Sequence, residues 1–142
     1  MNVVNRYKAY GPRMNTNEHE SEKADAVVES VIGAAYEVSN VLGAGFLEKV
    51  YERALRRELV LRGLNVRPQV SYPVLYKGQN VGEYVADLLV EGLVIVELKC
   101  VDRFSNEHTA QCINYLKASK VRLALLINFQ KPKVEWKRIV YG

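Results

Sequence analysis

The chain contains few of the residues that build zinc sites or disulfide frameworks. It has two cysteines and two histidines in 142 residues, and their spacing fits no zinc-binding pattern. Cys100 lies in a predicted buried strand and Cys112 in a predicted helix. In a chain without secretory features, such cysteines are more typical of small buried side chains than of a disulfide.

Long apolar runs, internal repeats and linker-like segments are also missing. No apolar run approaches the roughly 20 residues that span a bilayer, and the N-terminus lacks the continuous apolar core of a signal peptide. We therefore expect a cytoplasmic protein without a membrane partner. A chain of 142 residues has room for one domain with one substantial core.

The composition of the chain is that of an ordinary globular protein with an excess of positive charge. Apolar residues make up 49% and charged residues 25%, and the net charge is +4. Many of the positive charges are collected late in the chain: Lys117, Lys120, Arg122, Lys131, Lys133, Lys137 and Arg138. This pattern fits either solvated strand ends or a surface that binds phosphate, and composition does not decide between them.

Hydrophobic periodicity predicts three helices and five strands. Residues 1–21 show no sustained period and are predicted to form a flexible N-terminal arm, so the folded domain would cover residues 22–142. The predicted order is two helices (22–42, 46–62), an edge strand with two prolines (66–76), a hairpin (84–101), a helix (105–118) and two strands (121–129, 133–141). This order predicts an α/β (α+β) single domain with a central mixed sheet flanked by helices.

The chain is organised around the predicted hairpin, in which two apolar runs flank Glu91-Gly92. The hairpin carries Asp87, Glu97 and Lys99 among apolar neighbours, and Glu97 and Lys99 point to the same face of their strand. Charges in such surroundings are costly unless they are paired or bound to a metal, so these residue types suit a divalent cation and a nucleophilic water. The alternative is that the triplet occurs by chance and that its charged side chains face solvent.

The length of the hairpin loop decides whether the two acids meet. A two-residue loop, Glu91-Gly92, would place Asp87 opposite Val96 and leave Glu97 on the other side of the sheet. A three-residue loop that includes Leu93 would instead place Asp87 opposite Glu97. We predict the three-residue loop, because glycine supplies the left-handed residue that such loops need.

Further polar residues lie at helical spacing on the second and third predicted helices. Glu48 and Tyr51 are three apart on the second helix, and His108, Gln111 and Tyr115 form a stripe on the third. An acid in a first turn that favours the helix dipole, and a solvated helix face, would explain these residues equally well. On the second helix the residues expected to face the core are Leu47, Val50, Ala54, Leu55 and Leu59.

Three motifs occur together in a recognisable order. Residues 45–51 fit G-x-x-E-x-x-Y, Asp87 precedes the triplet at residues 97–99, and residues 111–115 fit Q-x-x-x-Y. In this order and spacing, residues 22–141 resemble the GxxExxY family of the PD-(D/E)XK nuclease superfamily. The resemblance implies a restriction-endonuclease-like core. The sequence departs from the superfamily's pattern at Ala86, where the name-giving motif has proline.

The resemblance also implies roles for individual residues. The ligands of Mg²⁺ or Mn²⁺ would be Asp87, Glu97, the backbone carbonyl of Leu98 and, from the helix, Glu48. Lys99 would orient or activate the attacking water. The residues that position substrate or support the site would be Gln111, Tyr115, Tyr51 and His108.

These features predict a divalent-metal-dependent nuclease that hydrolyses phosphodiester bonds in nucleic acid, with DNA favoured over RNA. A catalytically inactive nucleic-acid-binding or regulatory module on the same fold is the main alternative, since fold does not determine activity. A protein-interaction or structural subunit is a third. A homodimer would suit cleavage of two strands, but no residue of the sequence indicates one.

Overall fold

The computed structural model describes residues 15–142 and contains three helices and five strands. The elements are α1 (Asn15–Leu42), α2 (Glu48–Leu61), β1 (Val66–Tyr76), β2 (Gln79–Val90), β3 (Val94–Lys99), α3 (Asn106–Ser119), β4 (Leu123–Asn128) and β5 (Glu135–Val140). The predicted order and the predicted mixed sheet with flanking helices are both confirmed. None of the described helices is both long and apolar enough to cross a membrane.

Helix α1 begins at Asn15, seven residues before the predicted start at Glu22. Residues 15–21 of the predicted arm are therefore helical, whereas residues 1–14 lie outside the described part of the chain. The first two turns are polar, so they carry no apolar period that could reveal a helix.

The five strands form one sheet in the order β1-β2-β3-β4-β5. All neighbours are antiparallel except β3 and β4, which are parallel and are joined by α3 as a crossover. Strand β1 lies at an edge, as its two prolines predicted. The inner strands β3 and β4 are buried along almost their whole length, which explains their nearly continuous apolar sequences.

The sheet separates two apolar cores. On one face, α1 and α2 cover side chains such as Val96 and Leu125. On the other face, α3 covers the alternate side chains, including Ile95 and Leu126, and the free thiol of Cys112 lies among them. Each large side chain buried in this way contributes about 1.5–3 kcal/mol. The helices therefore hold the sheet from both sides and leave the ends of the inner strands open for chemistry.

The loop between β2 and β3 has the predicted three residues. The strands pair Val90 with Val94 and Leu88 with Val96. Glu91 and Gly92 both have positive φ, at 54° and 66°. The register that brings the two acids to the same position of the hairpin is therefore confirmed.

Strands β1 and β2 extend well beyond the rest of the sheet. They pair from Val66 and Val90 out to Tyr76 and Gln79, whereas β2 pairs with β3 only over residues 88–90. We call residues 70–86 the hairpin arm. Its base packs on α3 and exposes Val85, and its outer part exposes the apolar side chains of Leu75, Tyr76 and Val81.

Candidate active site

The two predicted acids lie where β2 and β3 separate. The backbone ladder ends at Leu88 and Val96, and Asp87 and Glu97 are the next residues on the two strands. The N–H of Leu98 donates to Asp87 Oδ2 at 2.9 Å, and the N–H of Asp87 approaches Glu97 Oε1 at 3.4 Å. Side-chain carboxylates thus replace backbone carbonyls as hydrogen-bond acceptors here. We call the point where β2 and β3 separate, with Asp87 and Glu97, the fork.

Burial makes the fork a poor place for two negative charges. The Glu97 residue is 5% exposed, and burial followed by the charge of Asp87 raises its pKa to about 8. Burial also raises the pKa of Asp87 to about 6, with a smaller lowering by the hydrogen bond from Leu98. Two neighbouring carboxyls with raised pKa values share a proton at neutral pH unless a cation neutralises them.

Helix α3 supports Glu97 through Tyr115. The Tyr115 hydroxyl lies 3.3 Å from Glu97 Oε2 and donates to the carbonyl of Val85 at 2.8 Å. Gln111 Nε2 reaches the same hydroxyl at 3.4 Å. Burial and the charge of Glu97 raise the pKa of Tyr115, so the phenol keeps its proton and stays a donor. The Tyr115 residue is 3% exposed, so its side chain contacts Glu97 and the carbonyl of Val85 rather than solvent.

Lys99 lies at the open end of β3, two residues beyond Glu97. Its positive charge lowers the pKa of Glu97. Among the residues that the structure describes, the ion pairs involve other cations, and no carboxylate is within pairing distance of Lys99. The half-buried ammonium is therefore available to a bound anion or water.

Helix α2 brings two acids towards the fork, only one of which was predicted. Glu48 is exposed in the first turn, and its charge raises the pKa of Asp87. Glu52 lies one turn later, is 6% exposed, and has a larger effect on the pKa of Asp87. Its carboxylate accepts from Lys49 Nζ at 3.1 Å and from Gln69 Nε2 at 2.7 Å. The four-residue spacing from Glu48 was the available signal for Glu52.

Gln69 has an unusual backbone at the β1 position that faces Asp87. The strands pair Pro68 with Leu88 and Val70 with Ala86, and Gln69 between them has φ of 50°. Ala86 and Leu88 are two residues apart yet belong to different cores, so the alternation of faces is interrupted at Asp87. A left-handed non-glycine residue inside a strand costs about 1–3 kcal/mol and is typical of functional sites.

Two of the predicted substrate-positioning residues, Tyr51 and His108, make contacts within the fold. Tyr51 is 1% exposed, stacks on Phe129 with ring centroids 4.8 Å apart, and donates to the carbonyl of Gly43 at 2.5 Å. It therefore anchors the loop between α1 and α2, and its predicted role in positioning substrate stays a prediction. His108 caps α3: its Nδ1 accepts from the N–H of Ser105, so the polar stripe partly reflects helix capping.

The residues at the fork match the ligand chemistry of Mg²⁺. In the described part of the chain, no three side chains of His, Cys, Asp or Glu lie close enough to hold one ion together, so Glu48 is not gathered with Asp87 and Glu97. Mg²⁺ does not require such a cage, because it is usually bound by one or two carboxylates plus substrate phosphate and water. The two neighbouring carboxyls of the fork meet this requirement.

Comparisons with known proteins agree with this fold. A sequence profile of the PD-(D/E)XK nuclease superfamily matches residues 25–139, which is 115 of the 142 residues. A search of curated proteins found no significant match. The solved structure of SSO0001 is similar with a TM-score of 0.55 and 16% identity, over 94% of this chain and 71% of that chain.

Two exonuclease structures are similar at a lower level. An alkaline exonuclease from Laribacter hongkongensis gives a TM-score of 0.48 and 12% identity, over 76% of each chain. A phage-related exonuclease from Haemophilus somnus 129PT gives 0.45 and 13%, over 94% of this chain and 80% of that chain. The similarity to SSO0001 supports the fold, and the two lower scores add no argument.

Proposed function

Because the chain belongs to the PD-(D/E)XK nuclease superfamily, we propose that it hydrolyses phosphodiester bonds in nucleic acid with a divalent cation. The observation that carries this proposal is the fork, where two carboxyls with raised pKa values lie together at the end of a buried hairpin. Within the superfamily, the G-x-x-E-x-x-Y segment at residues 45–51 favours the GxxExxY family.

Asp87 and Glu97 would hold the cation, with the backbone carbonyl of Leu98 between Glu97 and Lys99 as a third oxygen. Mg²⁺ is the expected ion and Mn²⁺ a substitute, since both prefer oxygen ligands. A divalent cation at this position supplies positive charge to the phosphoryl oxygens and lowers the pKa of a bound water. Glu48 contributes negative charge at the edge of the fork, which favours a cation there.

Side chains of the protein would orient the attacking water and hold the metal ligands in place. The ammonium of Lys99, which has no carboxylate partner in the described part of the chain, would orient the attacking water and stabilise charge that develops on the phosphate. Tyr115 and Gln111 would keep Glu97 in place through the hydrogen bonds described above. Glu52 would hold α2 against β1 through Gln69, opposite Asp87.

DNA is the proposed substrate, in preference to RNA, and the proposed location is the cytoplasm. The basic excess of the chain permits binding to either polyanion. We also propose a homodimer, because two sites would suit cleavage of both strands of a duplex. The catalytically inactive binding module remains the competing outcome of the experiment below.

Cleavage of labelled single- and double-stranded DNA with Mg²⁺, with Mn²⁺ and with EDTA tests the proposal. We expect metal-dependent cleavage that Asp87→Asn and Glu97→Gln each reduce by at least about a hundredfold, the scale on which single catalytic groups act. Glu29→Gln is the matched control, because it removes an exposed acid of α1.

Calorimetric titration with Mn²⁺ separates the roles of the residues at the fork. Lys99→Ala should bind Mn²⁺ like the unmodified protein and yet cleave slowly, whereas Glu97→Gln should bind it weakly. Lys99→Arg should also cleave slowly, because a planar guanidinium does not replace a compact ammonium. Cleavage that continues in EDTA, or that survives both acid substitutions, contradicts the proposal; nucleic-acid binding without cleavage under any metal supports the inactive module.

A further inference from the structure

A groove runs between the hairpin arm and the C-terminal half of α3. It has a volume of about 350 Å³. The arm contributes Val74, Leu75 and Tyr84, and α3 with its C-cap contributes Asn114, Lys117 and Lys120. One wall is thus mainly apolar and aromatic, and the opposite wall is basic.

The basic wall carries charge that no acid neutralises. Lys117 and Lys120 are exposed, no acidic residue lines the groove, and no carboxylate of the described residues pairs with either lysine. The ammonium of Lys117 lies 5.8 Å from the ring centroid of Tyr141, so its nearest described partner is an aromatic face. The dipole of α3 favours lysines at its C-terminus, but it does not remove their charge from the surface. The complementary occupant is a polyanion.

The opposite wall suits the bases of a nucleic acid. Leu75 is 63% exposed although it is a large apolar residue, and Tyr84 is half-buried with its ring along the groove wall. Proteins that bind single strands combine apolar and aromatic surfaces for the bases with cations that follow the backbone. A pocket of this volume accepts a small group such as a nucleotide, whereas a base-paired duplex is too wide to enter it.

The groove is connected to the fork by direct contacts. Asn114 Nδ2 donates to the Tyr84 hydroxyl at 3.2 Å, and the Tyr84 ring meets the edge of Tyr115 with centroids 5.5 Å apart. Tyr115 in turn contacts Glu97 at 3.3 Å. The inner wall of the groove is therefore separated from one of the acids by a single buried side chain.

We propose that this groove binds one strand of nucleic acid and leads it along α3 to the fork. The phosphates would lie on Lys117 and Lys120 and the bases on the arm. That the bound strand is the one that is cleaved rests on the proposed function, whereas binding in the groove does not. The proposal assigns the substrate class, which is a single strand or a single-stranded end of a duplex.

Fluorescence anisotropy in EDTA tests the groove without cleavage. The probe is a labelled oligothymidylate of about 16 nucleotides, which fills the site of a single-strand-binding fold. The double variant Lys117→Ala/Lys120→Ala should raise Kd about tenfold or more and lower the salt dependence of log K by about 1.4, at 0.7 per lost phosphate contact. The matched control Arg56→Ala/Arg57→Ala removes the same charge from exposed positions of α2, on the other face of the sheet, and should leave both quantities unchanged.

Two results would contradict the proposal that the groove binds a single strand. One is an unchanged Kd in the Lys117/Lys120 double variant while the oligomeric state changes, because the groove would then be a contact between copies. The other is a duplex of the same length that binds as tightly as the single strand and loses as much affinity on substitution.

The two proposals fail separately. If the unmodified protein cleaves DNA but the double variant and its control bind alike, only the groove is wrong. If no metal supports cleavage but the double variant selectively loses the single strand, the groove is retained and the nuclease activity is wrong. The melting temperatures of both double variants are to be measured as well, to check that the variants are folded.

Discussion

At the scale of the residue, Glu97 combines deep burial with a neighbouring acid. A carboxyl in this position is stable as the neutral acid or beside a cation, but not as a free anion. The Tyr115 hydroxyl keeps its proton because its pKa is raised, and it lies 3.3 Å from Glu97 Oε2. The hydrogen bonds around Glu97 therefore hold the carboxyl in place before metal or substrate arrives.

The metal-free protein should lose stability as pH rises. The pKa of Glu97 is raised from 4.5 to about 8 and that of Asp87 from 3.8 to about 6 by folding. Groups with raised pKa values stabilise the fold below their ordinary pKa, and that stability is lost as pH rises through the folded-state pKa. One such group costs up to about 1.4 kcal/mol for each pH unit in its window.

Thermal unfolding in EDTA between pH 5 and pH 8.5 measures this effect. We expect the melting temperature to fall across the range, and Glu97→Gln to flatten the fall above pH 6. Mg²⁺ should restore stability at pH 8 in the unmodified protein but not in the variant. Glu29→Gln should behave like the unmodified protein, and an equal effect of Mg²⁺ on Glu97→Gln would contradict a metal site at the fork.

At the scale of the element, strand β2 changes the core that its side chains face, and this change lies beside a distortion of β1. The change of face between Ala86 and Leu88 coincides with the left-handed backbone of Gln69 on the neighbouring strand. The side chain of Gln69 holds α2 through Glu52. Strain in β1 and the contact with α2 are therefore located at the same residue, beside the fork.

Comparison of two substitutions isolates the strain at Gln69. Gln69→Ala and Gln69→Gly both remove the hydrogen bond to Glu52, but only glycine relieves the positive φ. Glycine in a strand is ordinarily less stable than alanine by about 0.5–1 kcal/mol. Here we expect Gln69→Gly to be the more stable of the two, by about 1 kcal/mol in urea unfolding.

The same pair of substitutions at Ser71 is the control, because Ser71 lies on β1 without a positive φ. There alanine should be the more stable variant. The same order of stability at both positions would show that Gln69 is not strained.

Local patterns predicted elements well and their buried faces less well. Strand β1 begins and ends where its turn residues predicted, at Val66 and Tyr76. However, Leu47, the N-cap of α2, is 79% exposed and Val50 is also exposed, although we predicted both inside. The buried face of α2 is instead Tyr51, Glu52, Leu55 and Leu59. A short helix with apolar residues on several faces does not reveal which face packs, because that depends on the sheet beneath it.

At the scale of the whole molecule, the candidate site depends on segments that are distant in the sequence. The position of Asp87 opposite Glu97 was predictable, because both lie on one hairpin and its glycine sets the loop. The contact of Glu52 with Gln69 was not, since it joins a helix and a strand through packing alone. The role predicted for Tyr51 rests on its motif spacing alone, and that spacing is the same whether its ring faces substrate or the core.

The molecule also shows how much of α1 the fold needs. Among the described residues, the first side chains of α1 that are fully buried are Val27 and Val28, while His19 and Glu20 are exposed. An ion pair between Asp25 and Arg138 ties the helix to β5. The anchoring contacts of α1 thus all lie after residue 21 in the described part of the chain.

Deletion of residues 1–21 should therefore leave a folded protein with unchanged cleavage. Of the side chains whose burial is described, the deletion removes His19, Glu20 and Ser21, none of which is buried, while Asp25 and the valines that follow it stay in place. We expect the melting temperature to change by less than about 4 °C, which corresponds to about 1 kcal/mol in a domain of this size. Deletion of residues 1–28 is the matched comparison: it also removes Val27, Val28 and Asp25, and it should lower the melting temperature by far more. A similar loss of stability in both deletions would show that residues 1–21 pack on the domain.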